Sequence, residues 1–195
     1  MSAVWGVAWL VTIAAVTPGP NNLIVLRVAS RIGIRRAWPA ITGVVLGGLV
    51  VLAVALAASD AAFAAAPGLH TVVGVAGCLY LAWLGLGLIR HAGRPSDGPA
   101  RGLPAASVLG LFAFQFLNPK SWVMVMTAIG AMPAGAPEWP LAVVFTAIPA
   151  ACLTLWAIAG AALAPALERP RVAAWVDRGM GALLVATALA LVELP

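Results

Sequence analysis

Two short segments of this 195-residue chain set helix-breaking prolines beside polar side chains: Thr17-Pro18-Gly19-Pro20-Asn21-Asn22 and, about 100 residues later, Asn118-Pro119-Lys120-Ser121. Both lie inside apolar runs. A proline has no N–H to give to the carbonyl four residues earlier, so Pro18, Pro20 and Pro119 release the carbonyls of Ala14, Val16 and Gln115. Each also turns its predecessor away from helical dihedrals. Beyond each break a new half-helix begins, with Thr17 or Asn118 at the N-cap position and free N–H groups at a positive dipole end that accepts an anion. Lys120 falls in the first turn of the second half-helix, where a cation opposes the dipole unless an anionic group binds there. Gln115, Asn118 and Trp122 recur at helical spacing beside it, and Asn21 and Asn22 offer matching amides from the first segment. Two helix N-termini, one ammonium, several amides and exposed carbonyls suit a small zwitterion such as an amino acid. The competing use of these groups is to mend the broken backbone.

The elements that position these segments follow from composition. The chain is 63% hydrophobic and 9% charged, with a mean hydropathy of +1.05, against about 25% charged residues in ordinary soluble domains. This excludes a soluble globular fold and makes the lipid bilayer the surrounding medium. A helical crossing takes roughly 20 apolar residues, and the charges divide the chain into six such runs, at Ala3–Leu26, Trp38–Ser59, Gly68–Ile89, Ala105–Ala131, Pro140–Ala164 and Val172–Val192. Ten of the eleven basic residues fall in three alternate connections: Arg27, Arg31, Arg35 and Arg36; Arg90, Arg94 and Arg101; Arg169, Arg171 and Arg178. The positive-inside rule makes those connections cytoplasmic and puts both termini outside. The eleventh, Lys120, stands near the middle of a run, and intramembrane ionisable residues mark function by default. Trp5, Trp38, Trp139 and Trp175 near run ends fit the headgroup level. Gly43 with Gly47 and Gly74 with Gly77 permit close helix approach.

The expected fold is all-α: one polytopic domain, 1–195, of six transmembrane helices. A cut near Asp97 leaves three runs in each half, about 1–97 and 98–195, and an odd number of crossings inverts the second half relative to the first. In both halves the first run is the broken one. Interrupted segments at matched positions of inverted halves point to a midplane transporter site, with alternating access as the mode of action.

At these residues the sequence also resembles the LysE/RhtB family of bacterial amino-acid exporters. The likeness covers the two broken segments, Gly43 and Gly47, and Gly77-Cys78-Leu79-Tyr80-Leu81-Ala82-Trp83-Leu84-Gly85, with Asn118-Pro119-Lys120-Ser121 in the fourth run. The Thr-Pro-Gly-Pro-Asn-Asn form, with Phe114-Gln115-Phe116-Leu117-Asn118 and Trp156-Ala157-Ile158-Ala159-Gly160, is most similar to the branch that exports cysteine and O-acetylserine. The resemblance implies six-span exporters of the bacterial inner membrane, generally coupled to the proton gradient, and it adds Tyr80 to the candidate substrate contacts. Exporters of basic amino acids carry acidic residues in the membrane. Here no Asp or Glu lies well inside a run, so a neutral substrate is expected. Lys120, Asp60, Asp177, His70 and His91 are the candidates for moving the proton.

Cys78 and Cys152 are far apart in apolar runs and no metal-ligand spacing occurs, so neither a metal nor another cofactor is expected. No nucleophile-and-base or metal motif supports an intramembrane enzyme. A non-transporting scaffold, assembling through the Gly faces into a homo-oligomer, is the other alternative, although it has no use for a buried lysine. The net charge of +5 belongs to topology rather than to a nucleic-acid partner.

Overall fold

The computed structural model describes residues 2–17, 19–57, 75, 79, 82–83, 85–93, 108–133 and 135–192. Those in regular structure are helical, with no strand among them: α1 Ser2–Val16, α2 Pro20–Ile32, α3 Ile34–Ala57, a short helical stretch at 85–90, α4 Val108–Leu117, α5 Pro119–Gly130, α6 Trp139–Leu167 and α7 Pro170–Val192. Most of the expected third run, including Gly74, Gly77, Cys78 and Tyr80, lies outside the described residues, as do Pro18, Asp60 and His70.

Both breaks occur at the expected proline-containing segments. The first run is two helices bent by 53° across Thr17–Gly19, and the fourth is divided at Asn118, whose extended dihedrals (φ −89°, ψ 102°) separate α4 from α5. Helix α2 continues six residues beyond the expected end at Leu26 and stops at Gly33, whose φ of 84° favours glycine. Helices α3 and α6, with 24 and 29 residues, are long and apolar enough to cross a membrane, and the bent pair α1/α2 is a third such span if it is counted as one. At 1.5 Å per residue α3 is about 36 Å long, against about 30 Å of hydrocarbon. Apolar side chains such as Trp5, Trp9, Leu155 and Leu109 point outward and are well exposed, which water disfavours and lipid accepts.

Helix α6 packs against α1, α2 and α3, while α3 also packs along α4. Small residues set these approaches: a Cβ on Gly43 would strike the Val108 backbone, one on Gly47 would come within 2.6 Å of Phe112 O and Gln115 Cγ, and one on Gly160 would strike the Leu26 backbone. Gly43 and Gly47 thus perform the packing expected of them. The core is in two clusters. One joins Leu23, Ile24, Ile41, Phe114, Leu153 and Leu184; the other joins Val7, Val11, Val51, Val125, Leu141 and Phe145.

The charges correct two expectations. Arg27 is not in a connection but within α2, 5% exposed, and Asp177 is 6% exposed within α7. They form an ion pair. An acidic group therefore does sit inside the helical bundle, permitted there because a neighbouring guanidinium compensates it.

Candidate functional site

The ends of the two broken helices converge on one cavity of about 60 Å³, lined by Gly19, Pro20, Asn21 and Asn22 from the first break and by Gln115, Asn118, Lys120 and Ser121 from the second. Holding one water takes about 10–15 Å³, so there is room for several waters or one small solute. The cavity lies between the two core clusters, sharing Val44 and Leu153 with one and Val125 and Phe145 with the other.

Its polar wall is a connected network. The Asn21 and Gln115 side-chain amides donate to each other's oxygen, both at 3.0 Å, across 94 residues of sequence. Gln115 is 1% exposed; its Oε1 also accepts from Ser121 Oγ at 2.9 Å and its Nε2 donates to Leu111 O at 3.2 Å. Asn22 Nδ2 donates to the carbonyls of Ala15 (2.8 Å) and Thr17 (3.0 Å), and Lys120 Nζ donates to Thr17 O at 3.0 Å. The carbonyls that side chains reach are thus Ala15 and Thr17, one residue beyond the expected Ala14 and Val16. Gln115 O accepts instead from the Asn118 backbone N–H at 3.3 Å. Mending the breaks and building the cavity wall are done by the same groups.

The two half-helix N-termini differ. Asn118 is 1% exposed and its side chain accepts from Lys120 N at 3.2 Å, which caps α5. Thr17 does not cap α2, contrary to expectation: Gly19 occupies that position, in extended backbone open to any residue, and no side-chain cap is made. Thr17 Oγ1 instead donates to Ile13 O at 2.6 Å. A Cβ at position 19 would lie 3.0 Å from Lys120 Nζ, so the lysine side chain would have to shift slightly to admit it. Trp122 leaves the expected face as well, since the break at Asn118 resets the helical register. Its Nε1 donates to Phe116 O at 2.9 Å, and the ring does not line the cavity.

Sequence reasoning missed the apolar half of the lining, including Val44, Val45 and Gly48 from α3 and Phe145, Pro149 and Leu153 from α6. Pro149, alone in the middle of an apolar run, was the available signal, since it removes the N–H due to the Phe145 carbonyl. Among the described residues, no Asp or Glu is in the lining.

Apolar helices interrupted by proline and meeting at a small cavity with a polar wall are the arrangement expected of a membrane solute carrier. Residues 12–193 match the family model described as "LysE type translocator", and the chain belongs to the LysE family. It is 28% identical over 156 residues to a cysteine/O-acetylserine efflux protein of Klebsiella pneumoniae, an alignment covering 76% of each chain. It is 30% identical over 122 residues to the cysteine/O-acetylserine efflux protein of Escherichia coli K12, covering 62% of this chain and 61% of the relative. No solved structure matches it.

Proposed function

We propose that this protein exports a small neutral amino acid or amino-acid derivative from the cytoplasm, and that the cavity between the two breaks is its substrate site. The observation that carries this reading is the convergence of Asn21, Asn22, Gln115 and Lys120, from breaks about 100 residues apart, on one cavity. The substrate carboxylate goes to Lys120 Nζ and the uncapped N-terminus of α2, the only one of the two not occupied by its own cap. The substrate ammonium goes to backbone carbonyls near the breaks. An apolar wall with no carboxylate among the described residues suits a short uncharged side chain and disfavours lysine or arginine. The relatives' named substrates, cysteine and O-acetylserine, have this chemistry.

In this reading six spans in two inverted halves, 1–97 and 98–195, form one domain of the bacterial inner membrane with both termini outside the cytoplasm. Each apolar cluster contributes to the cavity lining, and alternating access opens the cavity to one side of the membrane at a time, driven by the proton gradient. Thr17, Pro18, Pro119 and Tyr80 complete the candidate contacts.

The test is counterflow in proteoliposomes with labelled serine, cysteine, O-acetylserine and lysine. Exchange of the neutral compounds without lysine is the expected result. Intact, correctly inserted protein that exchanges none of a wider amino-acid panel returns the scaffold reading.

A further inference from the structure

Away from the cavity, a groove of about 300 Å³ runs between the turn after residues 85–90 and the start of α7. Ala92 and Gly93 form one wall, and Arg171, Ala174, Trp175 and Arg178 form the other. The spacing of 171, 174, 175 and 178 puts these four on one face of α7. Gly93, with φ 72°, brings the turn so close that a Cβ there would lie 2.7 Å from Ala174 Cβ. The turn is also tied down, because Gly93 N donates to Asp177 Oδ2 at 3.2 Å.

Among the described residues no side chain compensates the charge of this groove. Asp177 precedes Arg178 in sequence, but its carboxylate is turned inward to Arg27 and to Gly93 N. Among the described residues Arg27–Asp177 is the one ion pair, so neither Asp177 nor Glu168, in the turn before α7, neutralises Arg171 or Arg178. Both guanidiniums are exposed, and Trp175 between them is 75% exposed. An indole so placed where an apolar helix meets a basic connection suits the headgroup level, and guanidiniums suit the geometry of a phosphate. We propose that this groove binds the phosphate headgroup of an anionic phospholipid, with Arg171 and Arg178 on the phosphate and Trp175 against the glycerol end of the acyl chains.

The site does not depend on what the protein carries, and its test needs no transport. Detergent-purified protein is titrated with phosphatidylglycerol or phosphatidylcholine, and bound lipid is counted by native mass spectrometry. Wild type is expected to hold one phosphatidylglycerol in preference to phosphatidylcholine. Arg171→Gln/Arg178→Gln is expected to bind it about thirtyfold more weakly, taking each basic residue at the usual contribution near an anionic surface. Trp175→Ala, which keeps both charges, is expected to weaken it less, and Arg35→Gln/Arg36→Gln, exposed at the start of α3, is expected to leave it unchanged. Equal losses in the two double variants, or no preference for the anionic lipid, would overturn the proposal. So would complete displacement of the lipid by millimolar inorganic phosphate, which would make the groove a site for a free anion.

Discussion

In the proposed site Lys120 is, among the described residues, the one charged side chain in the cavity lining, and its surroundings say what methionine in its place would lose. Its ammonium reaches across the first break to Thr17 O at 3.0 Å, and that same carbonyl accepts from Asn22. One ammonium has three donors, so holding the break and meeting a carboxylate are compatible tasks. Lys120→Met is therefore expected to raise the KM of a carboxylate substrate about ten- to hundredfold, the equivalent of about 1.5–3 kcal/mol for a lost charge-assisted hydrogen bond. Counterflow kinetics measure this, and Lys120→Arg should recover part of the loss. The Asn21–Gln115 pair makes a separate prediction. Either alanine variant leaves the other amide short of a partner at a cost of about 1–3 kcal/mol, whereas the double variant should cost less than the sum of the two singles. A double-mutant cycle on thermal stability in detergent checks it, and strict additivity would mean that the two amides do not interact.

At the scale of the helix, position within the turn decides whether a small residue is required. Gly47 and Gly48 are neighbours on α3, yet a Cβ on the first would come within 2.6 Å of Phe112 O while one on the second meets nothing within 4 Å. Gly47→Ala must separate α3 from α4 and is expected to lower stability by about 1–3 kcal/mol. Gly48→Ala should leave stability unchanged or slightly raised, while narrowing the cavity that Gly48 lines. Denaturation of both variants in the same detergent separates the two cases. The breaks were legible in the sequence because their prolines stand beside polar residues, Thr17, Asn21, Asn22 and Asn118, that can cap or mend a broken helix, whereas Pro149, among apolar neighbours, stays inside α6. The difference between the two half-helix starts was not, because whether Thr17, Gly19 or Asn118 becomes the cap depends on where the neighbouring carbonyls lie. Nor was the contribution of α6 to the cavity: Phe145 and Leu153 look like any other residue of an apolar run until the fold chooses which of its faces points inward. Arg27 was misread for a related reason. A charge at the edge of an apolar run ordinarily marks its end, and only a partner 150 residues away in sequence, Asp177, makes burial tolerable.

That pair acts on the whole molecule. It joins α2, which descends from the first break, to α7, the last helix, and through Gly93 it holds the turn after residues 85–90. Elements from both ends of the chain are thereby fixed around the core cluster of Leu23, Leu153 and Leu184. A buried pair is weak evidence of net stability, since removing two charges from water costs several kcal/mol per ion before attraction returns it. What it does enforce is joint presence. Among the described residues, Arg27→Met alone leaves a carboxylate inside the bundle with only the Gly93 backbone N–H, and Asp177→Leu alone leaves a guanidinium there without its carboxylate. Each single variant is expected to lose about 3–5 kcal/mol. Arg27→Met/Asp177→Leu exchanges the pair for apolar groups of similar size, and is expected to lie within about 1–2 kcal/mol of wild type or above it. Thermal unfolding of the three variants in one detergent decides the matter. A double variant as unstable as the worse single would show that the pair supplies stability of its own, whereas recovery in the double would show that its part is to specify how α7 docks on α2.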